Sequence, residues 1–207
     1  MSTDTKDPGI ITLPNVRLSF PHLFTPHAME ESQEPKFSAT FLFDNTEHGP
    51  LLDKIDALID RLALDEFKKK TSFKRCLRDG NEKSELEGYG DGKSFLTASN
   101  KARPGVVDRR LNPIVEADGK IYAGCYVNAT IRLWVQNNQW GKRVNAQLRA
   151  VQFVKDGESF GAGPVDATQE FQAIDSDDAS GAPTGGHTRS RGSGRSGGKP
   201  AANLDDF

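Results

Sequence analysis

Cysteine is scarce: Cys76 and Cys125 are the two in 207 residues, and they lie far apart. With no signal-like leader and no long apolar run, the pattern fits two ordinary buried thiols in a reducing cytoplasm, not a disulfide scaffold or a membrane protein. The four histidines, His22, His27, His48 and His187, pair with neither cysteine at a zinc-ligand spacing, so a structural metal has no support. Apolar residues make up only 35% of the chain. That is too few to pack all of it, which points to one domain with solvated appendages. A large charge excess is missing too. The net charge is -2, and from Asp166 onward seven acids face four bases, leaving the body at +1. Any anion-binding surface must therefore come from the placement of charges.

Catalytic signatures are equally thin. No D-x-D or E-x-x-H cluster stands beside a strand end, so neither a metal-dependent nuclease nor any other enzyme is expected, and no cofactor is implied. "GYGDGKS" ends like a phosphate-binding loop, but the first glycine of G-x-x-x-x-G-K-S would fall at 87, which is Glu87. Gly88 comes one residue late. The segment reads instead as a surface loop that can carry Tyr89 and Lys93 toward a nucleic acid.

What the chain does have is alternation. In "ITLPNVRLSF", Val16, Leu18 and Phe20 share one parity. In "KFSATFLFD", Phe37, Ala39, Phe41 and Phe43 oppose Lys36, Ser38 and Thr40. Both are strands by their period of two. The proline-rich "PHLFTPHAMEESQEP" between them reads as a loop. From Pro50 to about Lys70 the apolar period becomes helical, through Leu51, Leu52, Ile55, Leu58, Ile59 and Leu62. Lys68, Lys69 and Lys70 then suit the helix C-terminus. "RDGNEKSELEGYGDGKS" and "ARPGVVDRRLNPIVEADGKIYAG" read as loops around a short strand, "FLTASNK".

The most informative stretch is "CYVNATIRLWVQNNQWGKRVNAQLRAVQFV", a long hairpin. Val127, Ala129, Ile131, Leu133 and Val135 fall on one face of its first arm, and Val144, Ala146, Leu148 and Ala150 on one face of its second. The opposite face interleaves Tyr126, Arg132, Trp134, Arg143 and Arg149 with amides, and Trp140 stands in the turn. A solvated face has no need of tyrosine and tryptophan. A single nucleic-acid strand does: rings stack its bases and guanidinium groups meet its phosphates.

Strands near Val16, Phe41, Leu96, Ile131 and Leu148 with one main helix predict a mainly β fold, an OB-fold-like five-stranded barrel followed by a disordered tail. The expected organisation is a flexible N-terminus over residues 1–10, a domain over 11–165 and a Gly/Ser/Arg tail over 166–207. An aromatic patch of this kind also suits self-association, as a homodimer or scaffold, and the Arg/Gly tail suits RNA; these are the competing readings.

Several blocks together, "RLSFPHLFTP", "KFSATFLFD", "GYGDGKSFLTASNKARPGVVD", "YAGCYVNATIRLWVQ" and "GKRVNAQLRAVQFVKDGESFG", resemble the bacteriophage single-stranded-DNA-binding proteins, a family long known as a domain of unknown function. The resemblance runs from Ile11 to Gly163. It implies an OB-type body that coats unwound phage DNA in replication, recombination or repair within the host cytoplasm. Lys101 and Arg103, in the third block, join Tyr126, Arg132, Trp134, Trp140, Arg143 and Arg149 as expected DNA-binding residues. The final "NLDDF" is similar to the acidic, phenylalanine-ended tips of single-strand binders, which implies that Asp205, Asp206 and Phe207 engage phage or host replication and recombination proteins.

Overall fold

The computed structural model describes residues 9–28, 33–68 and 72–161. The expectations for the first residues of the chain, for the tail and for Asp205, Asp206 and Phe207 lie outside the described residues. The elements are β1 (Ile10–His27), β2 (Lys36–Asp44), α1 (Gly49–Phe67), β3 (Leu77–Asp79), β4 (Lys93–Asn100), β5 (Gly105–Val107), β6 (Tyr126–Asn138) and β7 (Gly141–Lys155).

The strands lie in the order β3-β4-β2-β1-β6-β7-β5, and β4 also pairs with β7. That extra pairing closes β4, β2, β1, β6 and β7 into the five-stranded barrel that the alternation predicts. The closing seam is short and parallel, with Ala98 opposite Ala146 and Ser99 opposite Gln147. The other barrel pairings are antiparallel. Inside, Leu13, Val16, Leu18, Phe41, Phe43, Leu96, Ile131 and Leu148 are fully enclosed. Each such aliphatic or phenyl side chain contributes roughly 1.5–3 kcal/mol by leaving water.

One strand has to serve two neighbours. β1 pairs with β6 through Ile10 to Arg17 and with β2 through Arg17 to His27. It turns the corner at register shifts, and Asn15 and Phe20 there adopt left-handed backbone angles, φ 49° and 48°. The supposed loop from Pro21 is therefore a correction: strand continues to His27. Pro21 and Pro26 are tolerated because they fall in the irregular part of the ladder, where a missing N–H removes no regular pair.

α1 buries Leu52, Ile55, Leu58, Ile59, Ala63 and Phe67 and packs on the β6–β7 hairpin. It ends at Phe67, short of Lys70, because Lys68 takes a left-handed cap at φ 57° and donates its N–H to Leu64 O at 3.0 Å. Arg75 fastens the helix to the chain entering β3 through Asp56 (2.7 Å) and Asp60 (2.6 Å). The two stretches read as loops also hold structure. Leu77–Asp79 adds to β4, Gly80–Lys83 forms a 3-10 turn capped by Asp79, and Gly105–Val107 runs parallel to β7.

Tyr89 and Lys93 do not extend outward. The Tyr89 ring meets Phe95 edge-on at 5.3 Å and its hydroxyl donates to Ser19 Oγ at 3.2 Å. Lys93 Nζ pairs with Asp44 at 2.7 Å. In-register pairing of β4 with β2, Asp44 opposite Lys93, brings these two charges together.

Candidate nucleic-acid interface

Pairing of β2 with β4 sets Ser38 against Ser99 and Thr40 against Thr97, so the outward parity of both strands is a strip of hydroxyls. Thr40 and Thr97 share a hydrogen bond across it at 2.8 Å. Lys36 stands at its end. This strip is the floor of a groove made of two adjoining cavities, about 440 and 740 Å³, which share Lys36, Thr97 and Ser99.

The smaller cavity is walled by the outer face of the hairpin, with Trp134 and Gln136 from β6 and Arg143, Asn145 and Gln147 from β7, and Lys101 just beyond β4. The larger is walled by Phe20, His22 and His27 from β1, Lys83 from the 3-10 turn, Gln33 and Glu34 from the β1–β2 connection, and Trp140 from the hairpin turn. Three large rings are open to solvent there: Trp140 is 73% exposed, Phe20 46% and Trp134 44%. Exposure on this scale, in a groove, is what base stacking requires. Phe20 is also held at φ 48°, a conformation that costs a non-glycine residue roughly 1–3 kcal/mol and is typical of functional positions.

The charges lining the groove are mostly positive. Lys83 Nζ sits over three rings, 5.6 Å from Phe20, 5.8 Å from Tyr89 and 5.3 Å from Phe95, so the aromatic quadrupoles hold the cation at the cavity wall. Lys101 pairs with Glu34 at 2.5 Å; both ends are well exposed, where such a pair is worth at most about 1 kcal/mol and yields readily to a competing anion. Arg143 Nε is buried without a partner among the described residues. Leaving such a donor unsatisfied costs about 1–3 kcal/mol.

Thiol chemistry is absent from the groove. Cys76 lines the smaller cavity, but burial pushes its thiol up to about 12, leaving it protonated at neutral pH. Burial raises Cys125 as well, and both cysteines are free. Among the described residues no cluster of His, Cys, Asp or Glu could hold a metal ion.

The residues singled out from sequence divide by position. Trp134, Trp140, Arg143 and Lys101 come together in the groove. Arg132 is exposed on the same face, opposite the groove residue Gln147. Arg149 lies at the register shift where β7 supplies one extra residue, between Ala150 opposite Thr130 and Leu148 opposite Ile131. That bulge also corrects the inner face: after Leu148 the buried residue is Val151, and Ala150 is only half-buried. Arg103 stacks its guanidinium over Phe24 at 5.6 Å, outside the cavity linings.

Tyr126 lies apart from the groove. It is opposite Arg17 and carries Lys155 Nζ 4.5 Å above its ring, while Arg17 donates to Gly124 O and Glu158 O. It packs the far end of the hairpin. Conversely, Phe20, His22, His27, Lys83 and the strip Lys36, Ser38, Thr97 and Ser99 were not expected in a site. The polar parity of "KFSAT" was the available signal for the strip.

Comparison with known proteins bears on this groove. The family model described as the single-stranded-DNA-binding protein of Enterobacter phage Enc34 matches residues 9–180. Protein p50 of Acyrthosiphon pisum secondary endosymbiont phage 1 is 40% identical over 175 residues, which is 79% of this chain and 93% of that protein. Among solved structures, the bacteriophage Enc34 single-stranded-DNA-binding protein in complex with single-stranded DNA superposes with a TM-score of 0.68 at 32% identity, covering 74% of this chain and 90% of that one. The single-stranded-DNA-binding protein gp2.5 of bacteriophage T7 shares the fold, with a TM-score of 0.52 at 16% identity over 79% of this chain and 94% of that one.

Proposed function

The chain belongs to the family of the Enterobacter phage Enc34 single-stranded-DNA-binding protein, and from that membership and the groove we propose that it coats single-stranded DNA without regard to sequence, during replication, recombination or repair of phage DNA in the host cytoplasm. The observation that carries this reading is the position of the groove. It runs over the second and third barrel strands, β2 and β4, between the β1–β2 connection and the β6–β7 turn, the surface on which OB-type barrels bind oligonucleotides.

Each part of the groove has a task. Lys36, Lys83, Lys101 and Arg143 meet successive phosphates, with Lys101 leaving Glu34 as the strand enters. Arg132, Arg149 and Arg103 extend the positive path along the hairpin and the turn after β4. Trp134, Trp140 and Phe20 stack bases, each contact worth about 1–3 kcal/mol whatever the base, since every base offers a π-face. The floor hydroxyls and the amides of Asn145 and Gln147 donate or accept as required, which suits sequence indifference. Binding alone does this work. The chain acts without catalysis.

We further propose that Asp205, Asp206 and Phe207 recruit replication or recombination proteins: the ring fills an apolar pocket on the partner and the carboxylates meet surrounding bases. The decisive experiment titrates the full chain with oligo-dT and oligo-rU at two salt concentrations while following tryptophan emission. Quenching by dT, with affinity falling steeply as salt rises, supports the reading. Unchanged emission and no mobility shift at low salt overturn it, and a preference for rU turns it toward RNA. Deleting 204–207 and losing capture of replication proteins, with DNA binding retained, tests the tip.

A further inference from the structure

His22 and His27 are set opposite Ser38 and Lys36, so β1 spends five residues where β2 spends two. The strand is bulged over that interval. The two imidazoles come face to face, centroids 4.4 Å apart and planes within 13°, on the wall of the larger cavity. A bulge that costs ladder hydrogen bonds and ends in stacked rings facing a groove is a built feature, and neither ring has a role in the barrel core.

We infer that the His22–His27 stack is a proton-linked phosphate subsite, which takes up a proton as single-stranded DNA enters and so makes binding tighten as pH falls. The inference rests on the DNA-binding reading above. In the free protein the surroundings favour a neutral His22. Lys36 from β2 and Lys83 from the 3-10 turn face the cavity as cations. Among the described residues lining it, the carboxylate is Glu34, which Lys101 engages. β4 presents only hydroxyls, and the hairpin turn presents Trp140. A second cavity that His22 also lines carries Glu85 and Glu87, of which Glu87 accepts from the Gly161 N–H at 2.6 Å. Burial first, and His27 second, lower the His22 pKa.

A phosphate drawn in by Lys36 and Lys83 reverses this balance, because an anion beside an imidazole favours its charged form. Rings this close titrate as a pair, and the first proton suppresses the second. The stack therefore accepts about one proton per strand bound. The sign follows: His22 is held below its ordinary value in the free protein and a bound phosphate raises it, so affinity is lowest at high pH and rises as pH falls. One pKa unit of phosphate-induced rise corresponds to roughly a tenfold gain in affinity at low pH.

The test is oligo-dT binding by the full chain at pH 8.0 and pH 5.5, for wild type and for His22→Gln/His27→Gln. Wild type is expected to bind about tenfold tighter at pH 5.5, with a log-log salt slope steeper by up to about 0.7. The double variant, which keeps His48 and His187, is expected to lose most of this difference between the two pH values, whatever its affinity at pH 8.0. Equal wild-type affinity at both pH values overturns the inference and leaves the DNA-binding reading standing. Retention of the full pH effect in the variant also overturns it. Absence of binding at both pH values overturns the two together. Should the double variant fail to fold, the imidazole proton shifts of wild-type His22 and His27, titrated with and without oligo-dT, decide the matter: no rise in either pKa on binding overturns it.

Discussion

Trp134 and Trp140 illustrate how far a single residue can be read. Tryptophan on the polar parity of a hairpin and in its turn has no packing reason to be there, and both rings are open in the groove. Trp134→Ala and Trp140→Ala are each expected to weaken oligo-dT binding by about 1–3 kcal/mol with an unchanged melting temperature, measured by anisotropy and thermal denaturation. Lys36 should behave differently. It is shared by both cavities, so Lys36→Ala is expected to reduce the log-log salt slope by about 0.7, the signature of one phosphate lost. Tyr126 had the same claim from sequence as Trp134, and it stands half-buried beside Arg17, Lys155 and Gly157, away from the groove. Nothing in the local pattern says which aromatics of one face share a groove.

Elements were legible where their period was uninterrupted. The helix, β2 and the inner face of β6 follow from spacing alone, because burial on one side imposes that spacing. β1 was cut short by prolines that proved to lie at register shifts, and the inner face of β7 changes parity at the Arg149 bulge. The turn from β2 into α1 is a connection that alternation does not reveal. The Asp44 carboxyl is held down to about 2 first by the hydrogen bond from Lys93 and then by the N–H groups of Glu47 (3.2 Å) and Thr46 (2.9 Å), from which it accepts. With the folded value below the ordinary 3.8, this contribution is complete above about pH 4 and is lost as pH falls toward 2. Asp44→Asn is expected to lower the melting temperature slightly at neutral pH, since the group is exposed, and not at all near pH 2, so that the variant's melting temperature varies less than that of wild type over the acid window. Gly124, before β6, has φ 109°, and a Cβ there would lie 2.0 Å from Glu158 O. Gly124→Ala is expected to cost about 2–4 kcal/mol in urea denaturation, from backbone strain and overpacking together.

At the scale of the whole molecule, the length, the modest apolar fraction and the division of charge called for one domain of limited size with binding by placement. The described residues form a mainly β barrel with one α-helix. If the barrel presents one such groove to DNA, each chain should occupy about 4 to 16 nucleotides, and stoichiometric titration of long poly-dT by tryptophan quenching measures this directly. A site size well above that range would mean that more than the groove is engaged.

What the amino-acid order determined by itself is what acts over a few residues: which segments alternate, which one is helical, and which side chains have no business in a core. Only the tertiary structure decided which of those surfaces share a groove. The two-pair seam between β4 and β7 brings the hydroxyl strip beside Trp134 and Arg143, and the bulged part of β1 brings Phe20, His22 and His27 to its other wall. These neighbours come from strands far apart in the chain. Their meeting depends on register and bulges, and a one-residue slip sends every later side chain to the opposite face.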